Sequence, residues 1–313
     1  MPENSPLETP LLQTPWGKVE IADAHVHFFS PAFFKSLAEQ KHDEFVAKAL
    51  GWDEPTSSDA LAMRWSEELD RNGVARAMVI GSIPNDTVSV GAAIEHRPDR
   101  FSGIYMANPT LPAADIRFQS AAKEDHVSGV FLFPAMHHYS LHDDKVCALM
   151  QVLASHQHPV AYVHCGILSV GFRKKLGLPC HFDMRYSNPI DLFALAARFS
   201  RIRFVIPHFG SGFFREALML ADQCPNVYFD TSSSNAWIRT QPDNIDLKGV
   251  FRKALEVAGP KRLLFGSDSS WFPRGYVRDV LDHQVALLHE LGVDEEGARA
   301  ILGGNFRRLL GLS

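Results

Sequence analysis

Four histidines and an aspartate in this chain have the types and positions to hold a metal ion and move a proton. The segment Asp23-Ala24-His25-Val26-His27 ends an apolar run. Side chains alternate faces along a strand, so His25 and His27 point the same way and can reach one ion. Three more apolar runs end in a group that is costly to bury alone: Pro159–Val163 leads into His164, Phe204–Pro207 into His208 and Leu263–Ser267 into Asp268. If these strand ends meet, a divalent metal is the simplest joint explanation.

Groups this far apart in the chain meet only if the fold gathers strand ends on one face. Apolar runs bounded by Gly, Pro, Asn or Asp predict strands at Val19–His27, Ala75–Gly81, Phe101–Met106, Val127–Phe133, Val160–His164, Arg203–Pro207, Val227–Asp230 and Arg262–Gly266. Helical periodicity lies between them, over Asp59–Asn72, Asp144–His156, Pro189–Phe199, Phe213–Gln223 and Val250–Ala258. Eight strands alternating with helices predict a parallel α/β fold, the (β/α)8 or TIM barrel, whose strand C-termini all open on the face that carries active sites. An open doubly wound sheet is the alternative, but no G-x-G-x-x-G follows an early strand. Two loops are extended, Phe28–Ala60 after the first strand and Gly166–Asn188 after the fifth, and connections of that length are often lids. The reading divides the chain into an N-terminal arm, residues 1–18, and a single barrel domain, 19–313. A closing helix is expected over Asp294–Leu312, interrupted by Gly303-Gly304 and exposing Arg307-Arg308.

Composition excludes several other roles. The 313 residues are 46% apolar and 21% charged, which supports a large core and not disorder. A net charge of −5 and a longest basic run of only Arg173-Lys174-Lys175 argue against nucleic acid as a partner. Cys147, Cys165, Cys180 and Cys224 form no C-x-x-C pair, against a thiolate metal site or a disulfide scaffold, and Cys165 reads as packing. No basic and apolar leader opens the sequence and no run reaches the ~20 residues of a membrane span, so no membrane partner and a cytoplasmic location are expected.

Seven segments carry a family resemblance: Asp23–His27 (DAHVH), Val163–Gly166 (VHCG), Ser187–Leu192 (SNPIDL), Val205–Gly210 (VIPHFG), Val227–Thr231 (VYFDT), Leu263–Trp271 (LLFGSDSSW) and Ile301–Leu310 (ILGGNFRRLL). With them the chain resembles the amidohydrolase-related family, the branch of the amidohydrolase superfamily that contains aminocarboxymuconate semialdehyde decarboxylase. The resemblance implies a barrel with one metal ion held by His25, His27, His164 and Asp268, and His208 beside the metal-bound water. Three nitrogens and one oxygen with an open position suit Zn²⁺, with Mn²⁺, Fe²⁺ and Co²⁺ as further options. Such an ion lowers the pKa of a bound water toward ~7 and polarises a substrate oxygen. His208 is then placed to orient the water and Asp268 to accept its proton. Binuclear relatives carry a lysine on the fourth strand; Val127–Pro134 has none, which points to a single ion. Asp230 reads either as an acceptor anchoring a ligand histidine or as a turn or N-cap aspartate.

The resemblance admits two chemistries, hydrolysis of an ester, lactone or amide and non-oxidative decarboxylation of an unsaturated or aromatic acid. In the semialdehyde decarboxylase, arginines from the loop after the first strand and the helix after the sixth hold the substrate carboxylate. Here Phe28–Met63 has no arginine, and the helix after His208 has Arg215 near its start with Met219 where the arginine is expected. Another class of decarboxylases in this branch replaces the first H-x-H histidine by glutamate, whereas this chain keeps His25. A metal-dependent hydrolase acting on a small carboxylate, lactone or ester-like substrate is therefore the favoured reading. The decarboxylase is the first alternative, and a metal-stabilised barrel that binds a small molecule without turnover is the second. Arg185, Tyr186 and Trp271 are the candidate substrate contacts, with Arg173, Lys174, Lys175 and His181 in the same loop as Arg185. Phe28, Phe29, Phe209, Phe213, Phe214 and Phe272 add apolar surface to that face, which suits a small planar substrate. Members of the resembled family are often dimers, so a homodimer is the implied assembly.

Overall fold

The computed structural model of the protein describes residues 10–124, 126–180, 182–233 and 235–312. Its centre is a ring of parallel strands: β1 (Ile21–Phe28), β2 (Val74–Gly81), β3 (Phe101–Ala107), β4 (Gly129–Leu132), β5 (Val160–Val163), β6 (Arg203–Ile206), β7 (Val227–Asp230) and β8 (Leu263–Leu264). Each strand pairs with the next in chain order. The segment after β8 returns to β1 through backbone bonds from Ala24 N to Phe265 O (2.8 Å), His27 N to Ser269 O (2.8 Å) and Asp268 N to His25 O (3.0 Å). Those bonds close the sheet into the (β/α)8 barrel that the alternation of strands and helices predicts.

The first strand starts later than its apolar run. Val19 belongs to a small antiparallel hairpin, Leu12–Thr14 with Gly17–Val19, that precedes the barrel. Trp16 anchors this hairpin by donating from Nε1 to the Val293 carbonyl at 2.9 Å. Three helices, Thr87–His96, Ala114–Glu124 and Arg278–Glu290, have no counterpart in the sequence reading. In the first of them Ser89, Val90, Gly91, Ala93 and Ile94 are all buried, so the polar face that would reveal a helix is narrow. The helix expected over Pro189–Phe199 is a 3₁₀ turn, Pro189–Leu192, followed by a short α-helix, Phe193–Arg198. No helix among the described residues is long and apolar enough to cross a membrane.

Two layers of core follow from the pleat. Outward-facing strand residues pack against helices such as Ser58–Arg71, whose Leu61, Trp65 and Leu69 recur at helical spacing and are buried. Inward-facing residues, among them Ile80, Ile104, Phe131, Tyr162 and Val205, fill the barrel together with Phe306, Leu309 and Leu310 of the terminal helix Asn305–Leu310. That helix follows Glu295–Arg299 through a π-helical turn at Ala300–Gly304. The widened turn falls on the Gly303-Gly304 pair, and a Cβ on Gly303 would stand 2.5 Å from the Glu20 carbonyl. Arg308 is exposed as expected, but Arg307 is half-buried because it pairs with Glu20 beneath β1.

Asn305 ties this closing segment to β8. Its side chain is 1% exposed and donates to the carbonyls of Pro260 (2.7 Å) and Leu263 (2.6 Å). An Asn305→Ala variant leaves both acceptors without that donor and is expected to lose about 2 kcal/mol, read as a lower midpoint at unchanged slope in urea denaturation.

Candidate metal centre and substrate cavity

A register irregularity aims the H-x-H pair. Ala22 and Ala24 of β1 belong to the interior cluster, while Val26 and Phe28 belong to the outer one. The phase inverts where the pairing of β1 with β2 shifts, between Asp23 and Val26. Without that shift the alternation that turns Ala24 inward would turn His25 and His27 outward. Asp23 supports the shifted segment: it is fully buried, and its Oδ1 accepts from His25 N (2.9 Å) and Ser267 N (3.0 Å), one amide from each side of the barrel seam.

One nitrogen each from His25 and His27 and one oxygen from Asp268 lie within 4.8 Å of one another. His25 Nε2 and His27 Nε2 are 3.4 Å apart, and Asp268 Oδ1 is 3.7 Å from the first and 3.4 Å from the second. Donors bound at ~2.0–2.2 Å to one tetrahedral ion stand ~3.3–3.6 Å apart, so the spacing fits an ion of zinc's size. The proton positions fit as well. Asp230 Oδ2 accepts from His25 Nδ1. Ser82 donates its hydroxyl to Ile80 O (3.0 Å), leaving its oxygen to accept from His27 Nδ1 (3.0 Å). The two Nε2 atoms are thereby directed at each other, and a bound cation would take the place of the proton that His25 otherwise holds.

Burial lowers the pKa of His27, His164 and His208 below the ordinary imidazole value, and nearby histidines push the same way. These three are neutral donors at pH 7. Burial also opposes charge on His25, but Asp230, by attraction and by hydrogen bond, outweighs it and raises His25 to about 9. Partial burial raises the Asp268 carboxyl, yet contact with His27 and the positive field of His25 hold it well below the usual range.

His208 stands beside the trio, its ring 5.1 Å from His25 and 5.7 Å from His164. Its Nδ1 meets Ser232 Oγ (2.9 Å) and Ser232 O (3.4 Å), which places the proton there and leaves Nε2 for the cavity. His164 lines the same cavity, stacked on Phe133 at 5.5 Å, but its donor atoms are not part of the compact trio. The loops holding these groups are strained: His208, Phe209, Ser211 and Asp268 have φ of 53°, 54°, 42° and 61°, each of order 1–3 kcal/mol for a residue with a side chain. Two glycines make room. A Cβ on Gly166 would lie 2.1 Å from Gly210 O, and one on Gly266 would lie 2.4 Å from Asp230 Oδ1.

The cavity over the trio has a volume of about 500 Å³. Both extended loops roof it. The first contains the helices Pro31–Lys41 and Val46–Leu50, the second the helix Gly171–Lys175 and a 3₁₀ turn at Met184–Tyr186. They share one apolar cluster in which Phe33, Phe34, Leu37 and Leu50 meet Leu176 and Leu178. The basic residues of the second loop serve this joint: Arg173 donates to Gln40 Oε1 (2.8 Å) and Lys175 to Leu50 O (2.7 Å). Trp271 lines the cavity, whereas Arg185 and Tyr186 do not. The Arg185 side chain is 81% exposed and grips Asp183. His181 lies outside the described residues. Of the six phenylalanines read from sequence onto this face, only Phe29 reaches the lining; Phe28, Phe209, Phe214 and Phe272 are spent in the core. Sequence reasoning missed Trp52, Phe131, Phe133 and Arg274 on the lining. Alternation in the fourth strand, with Phe131 and Phe133 on one face, is the signal that could have found two of them.

Two outcomes follow from this geometry. Asp230→Asn is expected to leave the fold intact and weaken Zn²⁺ binding about 10–100-fold, measured by chelator competition, because the partner that orients His25 is changed. Burial raises the Asp23 carboxyl from 3.8 to about 6 despite its bonds from Ser267 and His25. The fold then holds this proton more tightly than the unfolded chain, so the contribution is complete below pH ~4 and lost as pH rises through 6. Asp23→Asn, which keeps the Oδ1 acceptor, should remove about 3 kcal/mol of that pH dependence between pH 4 and 7 in chelator-treated protein; a stability profile parallel to that of the parent would contradict it.

Three comparisons bear on kinship. A segment of 90 residues is 31% identical to protein fluG of Emericella nidulans; it is 29% of this chain and 10% of that much longer protein. The fold is similar to that of 5-carboxyvanillate decarboxylase LigW from Sphingomonas paucimobilis, with a TM-score of 0.64 and 13% identity over 94% of this chain and 100% of the other. It is also similar to a probable 2-pyrone-4,6-dicarboxylic acid hydrolase from Acinetobacter baumannii, with a TM-score of 0.59 and 16% identity over 93% of this chain and 99% of the other. The sequence profile of the amidohydrolase family matches residues 22–312, almost the whole of the barrel, with His25, His27, His164, His208 and Asp268 inside it. The chain belongs to the amidohydrolase family.

Proposed function

We propose that the cavity is the active site of a metal-dependent hydrolase acting on a small carboxylate, lactone or ester-like substrate. The observation that carries this reading is the compact trio of donor atoms from His25, His27 and Asp268, with His208 Nε2 turned to the same cavity. These three residues would hold one divalent ion, Zn²⁺ by the chemistry of the donors, with His164 as a further ligand on the adjoining wall. When bound, the ion supplies Lewis acidity, polarising a substrate oxygen and acidifying water.

The protein's own part is positioning and proton transfer. Asp268, one of the trio, is placed to accept a proton from water. His208, neutral and fixed by Ser232, accepts a hydrogen bond at Nε2 and orients the nucleophile. Apolar walls around both groups keep competing water away and strengthen their electrostatic action.

A second reading, non-oxidative decarboxylation, is favoured by one observation: eight phenylalanine and tryptophan side chains line the cavity, a surface suited to a planar acid. The fold likeness to both a decarboxylase and a hydrolase does not separate the two. The separating experiment incubates zinc-loaded protein with a panel of lactones and hydroxybenzoates and records CO₂ against acid release. Acid without CO₂ identifies the hydrolase, CO₂ the decarboxylase, and neither leaves the binding barrel. His208→Asn should retain one metal equivalent and lose at least ~10²-fold in kcat, as expected for a proton-handling group. His25→Ala should lose the metal itself. Two equivalents of metal per chain, or an unimpaired His208→Asn enzyme, would overturn the assignment.

A further inference from the structure

Among the described residues the cavity has two aromatic walls and one arginine. On one side four rings form a nearly parallel column: Phe33 on Phe29 at 4.2 Å and 6°, Phe29 on Trp52 at 5.4 Å and 13°, and Trp52 on Trp271 at 5.2 Å and 9°. The Arg274 guanidinium extends that column, 5.1 Å from the Trp271 ring centre. On the other side Phe131 and Phe133 stack at 4.2 Å, and the His164 ring continues from Phe133 at 5.5 Å. Among the described residues of the lining, Arg274 is the only arginine or lysine.

Arg274 engages the protein through Nη2, which donates to Ser270 Oγ at 2.8 Å and to the Asp268 carbonyl at 3.4 Å. Those bonds fix the guanidinium in the loop that carries Asp268 and leave the Nε and Nη1 donors for a ligand. A planar fork held this way matches a carboxylate bidentately, which a lysine would not.

We propose that Arg274 sets the specificity of this cavity by anchoring a carboxylate of a planar aromatic acid whose ring lies along the Trp52–Trp271 wall. The inference rests on the cavity being the substrate site and goes further by naming the residue. Isothermal titration of zinc-loaded protein with 2-naphthoate and 2-naphthamide tests it without requiring turnover. The carboxylate should bind at least ~10-fold more tightly than the amide. Arg274→Gln should weaken 2-naphthoate by about 10–100-fold, the range of charge-assisted hydrogen bonds, and leave the amide unchanged. Arg274→Lys should recover only part of the loss, and Arg185→Gln should change nothing. Unaltered 2-naphthoate binding in Arg274→Gln, or no 2-naphthoate binding at millimolar concentration, overturns the proposal. The predicted binding pattern without catalysis would keep the role of Arg274 and remove the hydrolase reading. Turnover with a KM indifferent to Arg274→Gln would do the reverse.

Discussion

The seam between the first and last strands is the constraint from which the site follows. His25 and His27 stand on one side of it and Asp268 on the other, so the donor trio exists only when the barrel is closed. Asp23 staples the seam, its one oxygen accepting an amide from His25 and another from Ser267. A carboxylate buried to that degree is costly, and two amide bonds from opposite sides are what hold it there. The same residue therefore closes the barrel, holds the shifted segment of β1, and fixes the backbone of the first ligand.

A second layer of constraint keeps the donors oriented. Asp230 and Ser82 each take the Nδ1 proton of one histidine, and Ser232 takes that of His208. The loops that present His208 and Asp268 run through left-handed conformations at residues with side chains. Such strain persists where the surroundings over-determine it, and here the surroundings are the barrel rim, the close approach permitted by Gly166 and Gly266, and the buried contacts of Phe209. Stability is spent at the rim and recovered in the filled interior below, where the terminal helix completes the packing.

The fold was legible because each strand is a short apolar run stopped by a turn residue, a local signal that survives in every one of the eight. The site was partly legible for a related reason. A histidine or aspartate ending an apolar strand stands out, so His25, His27, His164, His208 and Asp268 could all be picked out and all reach one cavity. What could not be read is what depends on backbone phase and long-range partnership. The shift in β1 that turns His25 inward has no sequence mark. Loop chemistry misled most: Arg185 sits in the right segment but spends its charge on Asp183, two residues away, while Arg274 reaches the cavity from a stretch to which the sequence reading gives no role. Aromatic count misled in the same way, because Phe209 and Phe214 face helices while Trp52 arrives from a distant loop.

The joint between the two long loops bears on how anything enters. Arg173 and Lys175 bind the first loop, and both loops contribute to one apolar cluster. Neither can lift away alone without exposing the other's buried side chains to water. The roof is thus one mechanical part with two attachments to the barrel. Raising either loop therefore exposes apolar surface of both, so the cost of uncovering the cavity is set by the cluster as a whole.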